Sequence, residues 1–171
     1  HAKGKYYICI DSDTMYPPKY IETLVDELMK PGIVAVSSLW SYIPDKDHPW
    51  WGLKIYEFLR DIHLFIQSFK RPEYSVRGLV FAYEIEYGRK VGYRVDIKRG
   101  EDGSMAFGLK KYGKIAFVKK RRARAVTGYG TVGSDGSLFN SFKVRLIKYT
   151  KGYSKYFTSV KEIKDEDSNL I

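Results

Sequence analysis

The fold of this chain is decided by a stretch close to its start, residues 6–14, which reads Tyr6-Tyr7-Ile8-Cys9-Ile10-Asp11-Ser12-Asp13-Thr14. The apolar run that opens this stretch predicts a short buried strand. Apolar residues at helical spacing follow between Ile21 and Leu28, and the apolar run Ile33–Val36 predicts the next strand. The order strand, acidic turn, helix, strand predicts a β-α-β crossover, and therefore an α/β fold with a mostly parallel sheet flanked by helices.

The rest of the chain continues this alternation. The pattern predicts a long helix with a wide apolar face over residues 53–69, a strand over 79–83, a helix from 100–103 onward and a strand over 115–118. A glycine-rich loop, the start of a last helix near residue 142 and a charged tail follow. We expect residues 1–150 to form the catalytic domain and residues 151–171 to be a charged extension.

Composition excludes several classes of protein. The chain has 171 residues, 44% of them hydrophobic, which suits one folded domain and argues against disorder. The lone Cys9 excludes an internal disulfide framework and a cysteine-cluster metal site. No apolar run is long enough for a membrane-spanning helix. The net charge of +10 fits a nucleic acid, an anionic membrane surface or a phosphorylated small molecule as partner.

Asp11 and Asp13 form the first acidic pair. They directly follow a strand that we expect to be central in the sheet, and ligands of open α/β sheets bind at the carboxyl ends of strands. Two carboxylates in one turn are able to share a divalent cation, which also binds substrate phosphates. The structural alternative is that Asp13 or Thr14 caps the following helix while Asp11 forms an Asx turn.

Glu101 and Asp102 form the second acidic pair, at the predicted start of a helix. The backbone N–H groups of a helix N-terminus favour a negative charge, so helix capping alone explains Asp102. A helix N-terminus also keeps a carboxylate ionised and fixes its orientation, and a general base that acts on a hydroxyl group requires both.

Both pairs, in this order, lie in strings that resemble family 2 glycosyltransferases. Residues 2–14 (AKGKYYICIDSDT) and the proline and helix after them resemble the family's lead-in, strand and metal-binding D-x-D motif. Arg77-Gly78-Leu79 and the later string 100–118 (GEDGSMAFGLKKYGKIAFV) resemble the segment that carries the family's catalytic E-D pair. The resemblance extends over about residues 2–126.

The resemblance implies a GT-A fold and transfer of a sugar from a nucleotide donor with inversion at the anomeric carbon. Asp11 and Asp13 would then hold Mg²⁺ or Mn²⁺ against the donor diphosphate. Asp102 would take the proton of the acceptor hydroxyl, and Glu101 would help to place the acceptor. The GT-A-like sheet is expected to be incomplete on its N-terminal side, because the strand–helix units that precede the D-x-D motif in the family have no counterpart here.

Further site residues are expected from the resemblance and from side-chain chemistry. Guanidinium groups match phosphate oxygens, so Arg121, Arg122 or Arg124 would provide a second clamp on the donor diphosphate; a solvated basic strand edge is the alternative. Gly78 and Trp51 are expected on the acceptor side. Packing in the core is nevertheless the favoured role of the helix that contains Trp51, and contact with a membrane interface is a third interpretation.

The predicted partners are a UDP- or GDP-linked sugar donor and a saccharide, protein or lipid-linked acceptor, at a cytoplasmic location or at the cytoplasmic face of the membrane. The Q-x-x-R-W motif of processive members is absent from the chain, which argues against a polymer-making synthase. Two other functions use the same residues. A metal-dependent nuclease or phosphatase would also need clustered carboxylates, and a nucleic-acid-binding module, the less favoured of the two, would explain the charge and the tyrosines.

Overall fold

The computed structural model describes residues 3–46, 48–96 and 100–128, together with Lys143. The strands within this part of the chain are β1 (Tyr6–Ile8), β2 (Thr14–Met15), β3 (Ile33–Ser38), β4 (Trp40–Tyr42), β5 (Phe81–Glu84), β6 (Lys114–Val118) and β7 (Ala125–Thr127). The α-helices are α1 (Tyr20–Leu28), α2 (Trp50–Lys70), α3 (Ile85–Val91) and α4 (Glu101–Leu109). The glycine-rich loop, the predicted last helix and the extension over residues 151–171 lie outside the described residues, apart from Lys143.

The main sheet has the strand order β1-β5-β3-β6. β5 pairs antiparallel with both β1 and β3, whereas β3 and β6 pair in parallel. Consequently β1, β3 and β6 run in one direction and β5 runs in the opposite one. The α/β class is confirmed, but the prediction of a mostly parallel sheet is wrong for the pairings: two of the three are antiparallel, because the reversed strand β5 lies between β1 and β3.

The position of β1 differs from the prediction. We expected a central strand, but within the described residues β1 lies at the edge of the sheet and pairs with β5 alone. The crossover through α1 does connect two strands of the same direction, β1 and β3. However, β5 is inserted between them, and the pattern of a local β-α-β unit carries no information about a strand that arrives from a later part of the chain.

Helices cover both faces of this sheet, as the alternating side chains of β5 show. Ala82 belongs to one hydrophobic cluster together with side chains of α1 and α2, whereas Phe81 and Tyr83 belong to another together with side chains of α4. Successive residues of a strand point to opposite faces, so the sheet is the middle layer between these two clusters. β3 is buried from Val34 to Ser38, as expected for a strand covered on both sides.

A small second sheet, with the strand order β2-β7-β4, brings distant parts of the chain together. Thr14 of β2, directly after the first acidic pair, lies opposite Thr127 of β7. β7 also pairs in parallel with β4. This sheet was not predicted, because strands of two or three residues are too short to show an alternation pattern. It joins the D-x-D turn to the segment that follows the basic cluster.

The long helix α2 is only partly a core helix. One face buries Leu53, Tyr56 and Leu64 against the sheet. The opposite face is also apolar, but it is exposed; Trp50 and Trp51, for example, are 64% and 65% exposed. The favoured prediction that the wide apolar face packs in the core is therefore wrong for the exposed apolar face. Periodicity identified the helix correctly but did not show that both of its faces are apolar.

Candidate active site

The turn that carries Asp11 and Asp13 connects β1 with β2. The backbone N–H of Thr14 donates a hydrogen bond to the Asp11 carbonyl (3.3 Å), which closes the turn. The backbone N–H of Asp11 in turn donates to the Tyr16 hydroxyl (2.9 Å), and this hydroxyl donates to the Leu79 carbonyl (3.0 Å). Tyr16 therefore ties the D-x-D turn to the chain segment next to Gly78. Its role was not predicted, because it depends on a contact between residues that are far apart in sequence.

The helix-capping explanation of this turn is wrong. Helix α1 begins at Tyr20, its N-cap residue is Lys19, and no side chain caps it by a hydrogen bond. Thr14 lies in β2 instead, and the hydroxyl of Thr14 donates to Asp13 at a distance of 3.3 Å. Neither carboxylate forms an ion pair with a residue in the described part of the chain. Within the described ranges, the two negative charges of this turn therefore have no cationic side chain that balances them.

Asp102 lies in the first turn of α4, which begins at Glu101. The N-cap residue is Gly100, whose φ of 90° suits glycine, and no side chain forms a capping hydrogen bond there. Capping therefore does not account for Asp102. Instead, its carboxylate lies against Gly78: the backbone of Gly78 hydrogen-bonds to it, and a Cβ atom placed on Gly78 would be 2.6 Å from Asp102 Oδ2.

The electrostatics of Asp102 link it to the first acidic pair through Asp11. Burial, together with the charges of Glu101 and Asp11, raises the pKa of Asp102 to about 6, and the Gly78 hydrogen bond and the Arg77 charge oppose this shift. The pKa of Asp11 is raised in the same direction, by burial and by the charge of Asp13. Residues from two distant motifs thus share one electrostatic environment, as the prediction of a common site requires.

Cys9 and Tyr93 lie beside this acidic cluster. The Cys9 Sγ atom is 3.8 Å from the Tyr93 hydroxyl. Burial, together with the charges of Asp102 and Asp11, raises the pKa of the Cys9 thiol to about 11. The thiol is therefore neutral at physiological pH and adds no further charge to the site. Neither residue was predicted to belong to it, because a lone cysteine and a tyrosine in a polar segment have no sequence signal of their own.

The arginines of the basic cluster lie in a groove of about 910 Å³ beside α2. The groove is lined by Pro17, β4, the N-terminal part of α2 and three arginines, namely Arg121, Arg122 and Arg124. Arg124 is held in place there, because it forms an ion pair with Asp61 and donates to the Trp40 carbonyl (3.2 Å). The basic residue whose charge acts on Asp102 is Arg77, which was not among the predicted site residues.

The predicted site residues thus fall into two groups. Gly78 contacts Asp102, next to Glu101, and Asp102 lies within electrostatic range of Asp11, which in turn interacts with Asp13. The three arginines line the groove, and Pro17 connects this groove with the chain that follows the D-x-D turn. Trp51 points outward, and Trp50 is the tryptophan that lines the groove. The described residues contain no group of three or more His, Cys, Asp or Glu side chains placed to bind a metal ion.

Comparison with protein families agrees with this geometry. The family model described as "Glycosyl transferase family group 2" matches residues 6–164, which include both acidic pairs. The chain belongs to glycosyltransferase family 2. The mixed α/β architecture is consistent with the GT-A-like fold that the motifs predicted, and the chain is a glycosyltransferase. A comparison with curated proteins found no match. Within the described residues of this family member, none of the helices has the length and apolar character needed to cross a membrane.

The contact between Gly78 and Asp102 gives a first prediction. In Gly78→Ala the new methyl group would meet Asp102 Oδ2 at 2.6 Å, so the carboxylate has to move. We expect a loss of transfer activity of about 10- to 100-fold, because a displacement of about 1 Å at a reacting group costs this much. The measurement is the transfer rate of the purified variant together with its thermal unfolding, which should change little.

Gly103→Ala is the matched control, since a methyl group there has no neighbour within 4 Å. Gly103 lies next to Asp102 in α4, and alanine suits the helix better than glycine. Equal losses of activity in the two variants would show that the contact between Gly78 and Asp102 does not matter.

Proposed function

We propose that this family 2 member is a metal-dependent, inverting glycosyltransferase that moves a sugar from a UDP- or GDP-linked donor to an acceptor hydroxyl. The observation that supports it most directly is the position of Asp102, in the first turn of α4, against Gly78 and within electrostatic range of Asp11. We assign the catalytic machinery to residues 1–150 and the extension over 151–171 to a role outside the reaction.

Asp102 is the proposed general base. A base works best when its pKa is close to the working pH. The raised pKa of about 6 is close to neutral pH, and at pH 7 the Asp102 carboxylate is still mostly ionised. Its hydrogen bond from Gly78 fixes one side of the carboxylate. An acceptor hydroxyl that hydrogen-bonds to the free side would lose its proton to Asp102 as its oxygen attacks the anomeric carbon from the face opposite the leaving diphosphate.

Asp11 and Asp13 are the proposed ligands of Mg²⁺ or Mn²⁺. The fit rests on the chemistry of the donor set: hard divalent cations prefer carboxylate oxygens, and burial together with the charge of Asp13 raises the pKa of Asp11, a cost that a bound cation would relieve. Two protein carboxylates suffice where substrate phosphates complete the coordination. When bound, the metal would neutralise charge that develops on the departing nucleoside diphosphate.

The remaining residues have proposed roles in substrate placement. Arg121 and Arg122 face the groove beside α2 and offer guanidinium groups to an anionic part of a substrate, such as the donor diphosphate. Arg124 contributes indirectly, because its ion pair with Asp61 holds the start of β7. Glu101 is adjacent to the base and is proposed to orient the acceptor. The acceptor is a saccharide, protein or lipid-linked molecule, at a cytoplasmic site or at the cytoplasmic membrane face.

Titration with nucleoside diphosphates tests this proposal. We expect UDP or GDP to bind to the chain only when Mn²⁺ or Mg²⁺ is present, and we expect Asp13→Ala to weaken this binding by about 10-fold or more, because a charged ligand of the metal is lost. Isothermal titration with each diphosphate, with and without Mn²⁺, measures both effects.

Asp26→Ala is the control, because Asp26 is an exposed carboxylate on α1. It removes the same charge from the chain and should leave the affinity unchanged. Equal affinity of wild type and Asp13→Ala would contradict the metal assignment. Steep salt-dependent binding to DNA or RNA that is indifferent to both acidic pairs would instead support a nucleic-acid-binding module.

A further inference from the structure

The side of α2 that faces away from the sheet is apolar along the entire helix. Its residues recur at spacings of three and four, so that they share one face, and they are 43% to 73% exposed: Ile55, Phe58, Leu59, Ile62, Ile66 and Phe69. Trp50 and Trp51 extend this surface at the N-terminal end of the helix. We refer to these eight side chains as the outer face of α2.

Two charged residues of α2 lie where a surface helix normally has apolar residues. Glu57 and Arg60 are buried, at 4% and 7% exposure, on the side that packs against the protein. Glu57 accepts a hydrogen bond from the backbone N–H of Tyr42 (2.7 Å), and Arg60 lies over the Trp40 ring at 4.3 Å. An ordinary amphipathic helix presents its polar face to water. A helix that presents its apolar face instead indicates an interaction surface.

Basic residues border the outer face of α2. The Lys119 ammonium lies 3.8 Å from the centre of the Phe65 ring, so this lysine sits on the flank of the helix. Lys54 and the arginines of the groove lie on the side of Trp50, and Lys70 lies at the C-terminal end. Two acidic residues of α2 lie near this border and are both paired: Asp61 with Arg60 and Arg124, and Glu57 with Lys54 (2.9 Å). Exposed tryptophan and apolar side chains with a lysine and arginine border are typical of helices that lie in a membrane interface.

We propose that the outer face of α2 docks on the surface of an anionic lipid bilayer, with the helix lying in the interface plane. The apolar side chains would enter the boundary between headgroups and acyl chains, and the basic border would contact lipid phosphates. Charge complementarity selects this occupant. A second copy would bring two basic borders together. Residues 129–171 carry seven Lys and Arg against five Asp and Glu, and although four of these acidic residues lie within 162–167, the segment as a whole is basic and does not complement the border. This proposal does not depend on the assignment of the reaction.

Vesicle co-sedimentation of the full chain tests the proposal. We expect binding to vesicles of phosphatidylcholine mixed with phosphatidylglycerol, weaker binding at high salt, and little binding to phosphatidylcholine alone. The variant Phe58→Ser/Ile62→Ser/Phe69→Ser should lose at least about tenfold in partitioning, because three side chains that enter the interface become polar. All three residues point outward, so the variant should fold as the wild type does.

Ile21→Ser/Met29→Ser is the matched control. It replaces exposed apolar residues, 52% and 61% accessible, that lie at α1 and outside the outer face of α2. It should bind vesicles as the wild type does. Tryptophan emission provides a second readout: Trp40 is buried, so a shift to shorter wavelength on adding vesicles reports Trp50 and Trp51. That shift should disappear in Trp50→Phe/Trp51→Phe.

Four results would overturn the proposal. The first is no binding to anionic vesicles, and the second is an equal loss of binding in the α1 control. The third is a dimer in solution that the outer-face variant dissociates, because that result identifies a second copy as the occupant. The fourth is tryptophan emission that acrylamide fails to quench in the absence of vesicles. In that case another part of the same chain already covers Trp50 and Trp51.

Discussion

Asp102→Asn is expected to lower the rate of sugar transfer by about 10²- to 10⁴-fold, the usual contribution of a general base. Asparagine has nearly the same shape as aspartate and is able to keep the contact with Gly78, but its amide cannot accept the acceptor proton. Metal-dependent binding of the nucleoside diphosphate should remain. The measurement is the initial transfer rate with saturating donor, together with a titration of the diphosphate to show that the donor site is intact.

The stability of the same variant distinguishes a base from a structural residue. Burial raises the pKa of folded Asp102 from 3.8 to about 6, so the protonated form is the one that stabilises the fold. This stability is present below the unfolded pKa and is lost as the pH rises through about 6. At neutral pH Asp102→Asn should therefore raise the free energy of unfolding by about 1–2 kcal/mol. A destabilised and inactive variant would instead indicate a structural role, and a fully active one would exclude Asp102 as the base.

The pH dependence of the wild type follows from the same carboxylate. A general base works only when it is ionised, so activity should rise as the pH passes through about 6 and level off above it. In the metal-free chain the charge of Asp11 helps to raise this pKa, so Asp11→Asn should lower the pKa of the Asp102 carboxyl measured by NMR without metal. A pKa that does not respond to Asp11→Asn would show that the two carboxylates are not coupled.

The sequence predicted those parts of the fold that depend on local pattern. β1, α1, β3, α4 and β6 each have an apolar run or a helical spacing of their own, and both acidic motifs were recognised from their neighbours. The features of the fold that the sequence did not predict depend on contacts between distant residues. The insertion of β5 next to β1 and the sheet β2-β7-β4 are pairings between short strands, which no periodicity reveals.

The same limit applies to the candidate site. The acidic pairs were predicted to share one site, and the charge of Asp11 acts on Asp102, as that prediction requires. Tyr16 and Arg77 were missed, because their importance arises only when the segment next to Gly78 folds over the D-x-D turn. The partner of Arg124 was missed for a related reason: Asp61 is on α2, and its pairing depends on how this helix lies across β4.

Asp61→Ala is expected to cause the largest loss of stability among the variants considered. The Asp61 carboxylate accepts from Arg60 Nε (3.1 Å) and Arg60 Nη2 (2.8 Å) and also from Arg124. Arg60 is 7% exposed and lies against Trp40. Without the carboxylate, two guanidinium groups would remain close together with little water and no counter-charge. Removing one partner of a buried ion pair costs about 3–5 kcal/mol, and the partial exposure of Asp61 and Arg124 reduces our expectation to about 2–4 kcal/mol.

Urea unfolding of Asp61→Ala and Glu86→Ala compares the loss of stability when a buried and an exposed ion pair are removed. Glu86 forms an ion pair with Lys90 at 2.7 Å, but both side chains are about half exposed or more, so its loss should change the free energy of unfolding much less than the loss of Asp61 does. Asp61→Asn keeps the shape and some hydrogen bonding of aspartate, and it should fall between the other two. Equal midpoints for the three variants would contradict the argument. Arg124, the partner of Asp61, directly precedes β7, and β7 pairs both with β4 and with Thr14 of β2. Asp61→Ala should therefore also weaken the proposed nucleotide binding at the D-x-D turn, although Asp61 is not part of that turn.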